Sequence, residues 1–154
     1  MKRFFSAQPL AAYNTLTGVF RIIIGIFCIY HGWEVFSSEP IATYTGWLTD
    51  KHFPSPQLWA YLGKGTELIG GILLLLGLLT RLITIPLMCT MLFIIFVLGH
   101  GKIFYEDQYP FLFFMFFVYF FFAGPGKWSF DKLVFKRSKL SAQLQNFFSA
   151  KHSE

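Results

Sequence analysis

Arg21, His31, Glu34, Lys64 and Glu67 lie inside stretches that are otherwise apolar in this 154-residue chain. Ionisable groups are costly in a lipid interior and mark a charge pair, a ligand contact or a wet cavity. His31 and Glu34 are three residues apart, as are Lys64 and Glu67, so on helices each pair shares a face. Tyr30, Trp33 and Tyr61 sit beside them, and His100 closes a later apolar run. Polar groups among aromatics at this depth suit a quinone head group or a small acid. They suit solvated helix ends as well, and spacing does not decide between the two. Together these residues form the candidate ligand pocket.

Arg21 and Glu67 carry a second expectation. Arg21, Gly25, Cys28 and Gly32 share one helical stripe, and Gly63, Glu67, Gly70 and Gly77 share another. Small residues let helices approach closely, so both stripes face protein. At about 1.5 Å per residue, Arg21 lies roughly 8 Å in from one boundary and Glu67 about 14 Å in from the other. A long arginine side chain spans the remaining gap. A structural Arg21–Glu67 ion pair is therefore expected, with Glu67 as a proton or ligand group the alternative.

The elements that hold these residues are membrane helices. The chain is 55% hydrophobic, 21% aromatic and 14% charged, with a mean hydropathy of +0.52. Soluble domains carry about 25% charged residues. This composition excludes disorder, and the +5 net charge has no basic face on which to read nucleic acid. Length excludes a large enzyme with its own cofactor domain. Four apolar runs, 15–36, 58–79, 82–99 and 109–123, approach the roughly 20 residues a spanning helix needs. They are long and do not alternate, which favours helices over barrel strands. Lys2 and Arg3 resemble the start of a signal peptide, but the first run carries Arg21 and no small-residue cleavage site follows it. The expected fold is all-α, an integral membrane four-helix bundle over 15–126. A cytoplasmic tail precedes it (1–14) and a short extracytoplasmic segment lies between the first two spans.

Lys and Arg concentrate at the N-terminus, at Arg81 and in the C-terminal tail, so the positive-inside rule puts both termini in the cytoplasm. In the tail, 127–154, Leu133, Leu140, Leu144 and Phe147 or Phe148 recur among Lys132, Lys136, Arg137 and Lys139. This spacing reads as an amphipathic helix on an anionic leaflet, with a frayed tail as the alternative. Between the first two spans, Tyr44, Trp47 and Trp59 read as interface anchors. Eight of the twelve residues from Phe111 to Phe122 are Phe, on every face, which is packing or lipid contact. Cys28 and Cys89 form no disulfide framework and read as small hydrophobes. No nucleotide, zinc-protease or serine-hydrolase motif is present. His31 and His100 are too scattered to assign as haem or zinc ligands, so no metal site is expected.

Three segments together are similar to one known family. These are His31-Gly32-Trp33, then Glu67-Leu68-Ile69-Gly70-Gly71 running into Leu76-Gly77-Leu78-Leu79-Thr80-Arg81, and Gly124-Pro125-Gly126-Lys127-Trp128-Ser129-Phe130-Asp131. They resemble the DoxX family over roughly Gly18 to Leu133. The resemblance implies a four-helix bacterial inner-membrane protein. Relatives include subunits resembling the DoxD part of thiosulfate:quinone oxidoreductases and members of membrane redox and thiol-stress complexes. Many relatives carry a lysine three residues after the first-helix glycine, where this chain has Val35. An anionic-substrate role tied to that lysine does not transfer unless Lys64 replaces it.

The leading functional expectation is a membrane subunit of a quinone-linked oxidoreductase or redox-stress complex. It would work with a redox partner, since the chain offers no electron carrier of its own. These features assign no cofactor, and quinone is one they admit. The alternative is a non-catalytic scaffold that assembles a larger membrane complex or a homo-oligomer. A small transporter is disfavoured, because no broken helix or inverted repeat is evident.

Overall fold

The computed structural model describes residues 10–131, which form five helices and no strand. Helix α1 (Leu10–Gly32) runs on through a 3-10 turn, Trp33–Phe36. Then come α2 (Ser38–Asp50), α3 (Pro56–Leu76), α4 (Thr80–Phe93) with a π-helical extension over Ile94–Leu98, and α5 (Gln108–Ala123). Three segments, Ala12–Phe36, Pro56–Leu76 and Thr80–Leu98, are long and apolar enough to cross a membrane. The 16 residues of α5 reach only about 24 Å at 1.5 Å each. The protein is an all-α membrane bundle. Its outer surface exposes large side chains such as Leu16, Ile26, Phe27, Leu82 and Phe122 to lipid.

The element bounds differ from the sequence expectation in three places. The first helix begins at Leu10, inside the segment read as a tail. The second ends at Leu76, where Gly77 adopts φ +69° and Leu78 N–H reaches back to the Leu73 carbonyl. A left-handed glycine with this six-to-one bond is a Schellman stop. Third, the segment 38–50, read as loop, is a helix. Its start is marked by Ser37 and by Pro40 in the first turn, and Ile41, Tyr44 and Leu48 recur on its inner face. The expected amphipathic helix of the C-terminal tail lies outside the described residues from 132 onward.

Helix α1 packs antiparallel along α3, and α4 packs on α5 and α3. Glycine sets the first contact. A Cβ at Gly32 would collide with the backbone nitrogen, Cα and Cβ of Leu68. One at Gly25 would lie 2.8 Å from the Leu75 nitrogen, and one at Gly71 2.7 Å from that of Ile29. Backbone cannot yield as a side-chain tip can. Gly32→Val is therefore expected to destabilise the bundle by about 1–3 kcal/mol or more through overpacking. Thermal unfolding in detergent checks this, with Gly63→Ala as the control, because a Cβ there meets nothing within 4 Å. A midpoint for Gly32→Val equal to that of the control would mean the helices separate without cost.

The core divides by level. Ile24, Cys28, Leu74, Leu87, Met91, Phe117 and Phe120 fill the bundle interior. A second cluster, Ile41, Leu48 and Ala60, seats α2 on α3 and, through Phe53, Phe93 and Val97, on the end of α4. This second cluster fixes α2 across one end of the bundle, above the polar residues.

Candidate functional site

At the α2 end, three elements bring four polar side chains together. Lys64 and Glu67, one turn apart on α3, form an ion pair of 3.1 Å. Glu34, on the turn that prolongs α1, approaches the same ammonium at 3.0 Å. From α2, the Tyr44 hydroxyl donates to Glu34 Oε2 at 2.8 Å, and the Tyr44 ring lies 4.5 Å from Lys64 Nζ. Burial, and then the hydrogen bond it donates to the Glu34 carboxylate, hold the Tyr44 phenol's pKa above its ordinary value. Lys64 is 9% exposed and Glu67 4%. One buried cation thus serves two carboxylates, one of them partly exposed, and an aromatic face, an arrangement that compensates its own burial.

A cavity of about 410 Å³ opens beside this cluster. Lys64, Glu67, His31 and Cys28 form its polar wall, and Tyr44, Trp47, Trp59, Phe93 and Phe113 its aromatic walls. Glu106 and Asp107, from the loop before α5, line it as well. The π-helical stretch of α4 supplies Ile94 and Leu98. Such bulges recur at functional sites, where the wider turn re-aims side chains. The volume lies in the range of small-molecule sites, and mostly apolar walls with a few convergent polar groups are their usual lining.

The candidate residues divide. His31, Lys64 and Glu67 line the cavity together, and Glu34 reaches Lys64 from beside it. Tyr30, Trp33 and Tyr61 are 72%, 62% and 43% exposed and face outward, since at 100° per residue they leave the stripe that meets protein. His100 pairs with Glu106 at 3.1 Å and does not line the cavity. Among the aromatics that do line it, Tyr44 and Trp47 on α2 and Trp59 on α3 are those the sequence marks as interface anchors.

The expected Arg21–Glu67 ion pair is not formed. Gly32 lies level with Leu68, and Gly25 with Leu75 and Gly71, so Arg21 meets the last turn of α3 rather than its middle. By this register Arg21 sits about twelve residues, or roughly 18 Å, from the level of Glu67. The sequence estimate placed the two helices several residues out of step. Arg21 is fully buried at the opposite end of the bundle, where its guanidinium donates to backbone carbonyls. Nε donates to Pro125 O at 2.9 Å, one terminal nitrogen to Leu74 O and Leu75 O, and the other to Trp128 O at 3.0 Å. The Gly124–Asp131 segment returns across the bundle to meet it. Lys127 N–H bonds Asn14 O at 2.8 Å, and Asp131 accepts from the amides of Leu79 and Thr80 at 2.9 and 3.3 Å. A carboxylate at the start of α4 caps its free amides and complements the helix dipole.

Cys28 is buried in the cavity wall, Cys89 is exposed, and both are free thiols. Among the described residues no three His, Cys, Asp or Glu side chains gather as a metal site.

The profile of the DoxX family matches residues 16–100, more than half of the chain. The chain belongs to the DoxX family. Comparison with curated proteins and with solved structures returned no match. The family match runs from within α1 to the end of α4 and takes in Glu34, Tyr44, Lys64 and Glu67. The Gly124–Asp131 segment, which resembles the family's closing motif, lies beyond it. In this DoxX protein that segment binds Arg21 and caps α4 at the end of the bundle away from the cavity.

Proposed function

We propose that this DoxX protein is a membrane subunit of a quinone-linked oxidoreductase or redox-stress complex, and that its α2-end cavity holds the ring of a quinone-class molecule. One observation carries the reading. A cavity of about 410 Å³ walled by aromatic side chains ends on the Lys64–Glu67–Glu34 cluster, in which one cation is shared by two carboxylates. A flat ring with polar substituents matches both parts, stacking on the walls and hydrogen-bonding at the polar end. Electrons would pass to or from a partner protein, since the side chains described supply binding and orientation rather than an electron carrier. The presence of DoxD-type subunits among the relatives in the DoxX family supports the same reading.

In this proposal the protein resides in a bacterial inner membrane with both termini in the cytoplasm, and the cavity opens on the outer side. Orientation is checked by cysteine accessibility in intact cells, in a background with Cys28 and Cys89 replaced by serine. Ser38→Cys and Gln108→Cys are expected to react with an impermeant maleimide, and Trp128→Cys only after lysis. All three positions are exposed on the protein. Labelling of position 128 in intact cells would invert the orientation.

A further inference from the structure

Glu67 is a buried group of the cavity with hydrogen-bonding capacity to spare. Its Oε2 accepts from Lys64 at 3.1 Å, while among the described residues its Oε1 has no protein partner, although the residue is only 4% exposed. That oxygen is free to accept from a ligand in the cavity that Glu67 lines, and a hydrogen bond to a charged group is among the stronger ones. Lys64, by contrast, is taken up by Glu34, Glu67 and the Tyr44 ring. It has little left to offer an acceptor atom or an anion. Glu106 and Asp107 add further carboxylates to the lining. We infer that the cavity selects an uncharged aromatic ring bearing a hydroxyl, phenol or hydroquinone chemistry, over the corresponding quinone and over small anions, with the hydroxyl donating to Glu67.

This inference rests on the ring-binding reading above and adds its selectivity. Carboxylate oxygens only accept hydrogen bonds, so a ligand carbonyl at this place would set two acceptors against each other. A sulfate-like anion would meet a cation already neutralised and several carboxylates. The aromatic walls of Tyr44, Trp47, Trp59, Phe93 and Phe113 hold the ring in either oxidation state. The preference between the states therefore comes from Glu67.

The full chain in lipid nanodiscs, titrated calorimetrically under anaerobic conditions, tests the inference with three probes: tetramethylhydroquinone, tetramethylquinone and sodium sulfate. The hydroquinone is expected to bind about tenfold more tightly than the quinone, as a hydrogen bond to a charged group requires. Sulfate is expected not to bind. In Glu67→Gln, whose amide both donates and accepts, the ratio should fall to about one. The comparison in the unaltered protein stands even if that variant folds poorly. A quinone that binds as tightly as the hydroquinone, sulfate that binds, or a tenfold ratio that survives Glu67→Gln overturns the selectivity and leaves the ring-binding reading in place. Failure of both rings to bind overturns that reading and the inference with it.

Discussion

Replacing Arg21 with methionine is expected to abolish most of the folded protein. Its guanidinium ties the last turn of α3 to the returning Gly124–Asp131 segment, and it is wholly buried. The Leu74 carbonyl would keep its bond from Gly77 N–H. Those of Leu75, Pro125 and Trp128 would lose the donor that Arg21 supplies. An acceptor left unpaired costs about 1–3 kcal/mol when buried, and three partly buried ones at the lower end of that range sum to about 3–5 kcal/mol, comparable with a large part of a domain's stability. Arg21→Lys keeps the charge but lacks the planar fork, and should fall between the two. Fluorescence-detected size-exclusion chromatography of detergent extracts measures the folded fraction. A monodisperse Arg21→Met peak of undiminished height would mean that the segment docks without the arginine.

Lys64→Met is expected to have the second largest effect. It leaves Glu34 and Glu67 without their shared cation, and one of them is almost entirely buried. Removing one partner of a buried ion pair costs about 3–5 kcal/mol, because the remaining charge is uncompensated. Adding Glu34→Gln and Glu67→Gln to Lys64→Met removes the stranded charges. It should recover most of the lost thermal stability, although the ligand-facing chemistry is gone. A triple variant no more stable than the single one would show that Lys64 acts through packing of its stem on Tyr44 and not through charge.

The contrast between these two sites shows what was legible in the sequence. Helical periodicity identified the stripes through Arg21 and Glu67 as protein-facing, because small residues at offsets of three, four and seven leave only one face for close approach. Both side chains are buried. Their partners were not legible, since pairing depends on how far one helix slides along another, and that register is set by contacts such as Gly32 on Leu68. A slip of a few residues moved Arg21 from Glu67 to a ring of carbonyls that no side-chain pattern records. The polar half of the cavity was visible because charges in apolar runs stand out. Its aromatic half was missed because Tyr44 and Trp47 lie on a helix read as loop. The signals for that helix, Ser37 and Pro40 at its start and apolar residues at 41, 44 and 48, were present in the sequence. The Gly-Pro-Gly segment was recognised by resemblance, and the structure supplies the physical reason for it: close passage against Gly18 and the bonds to Arg21.

The central claim, that the α2-end cavity is a ring-binding site, is most directly tested by filling it. Gly63 lines the cavity on α3, and a Cβ there meets nothing within 4 Å, so Gly63→Phe should enter open space without disturbing the Lys64 cluster. The measurement is the quantity of quinone-class lipid that co-purifies with each chain, extracted in mild detergent and analysed by mass spectrometry. The unaltered protein should carry up to about one such molecule per chain, and Gly63→Phe, equally folded by size-exclusion and thermal unfolding, should carry little. Equal occupancy in the two proteins, or none in the unaltered one, would contradict the claim.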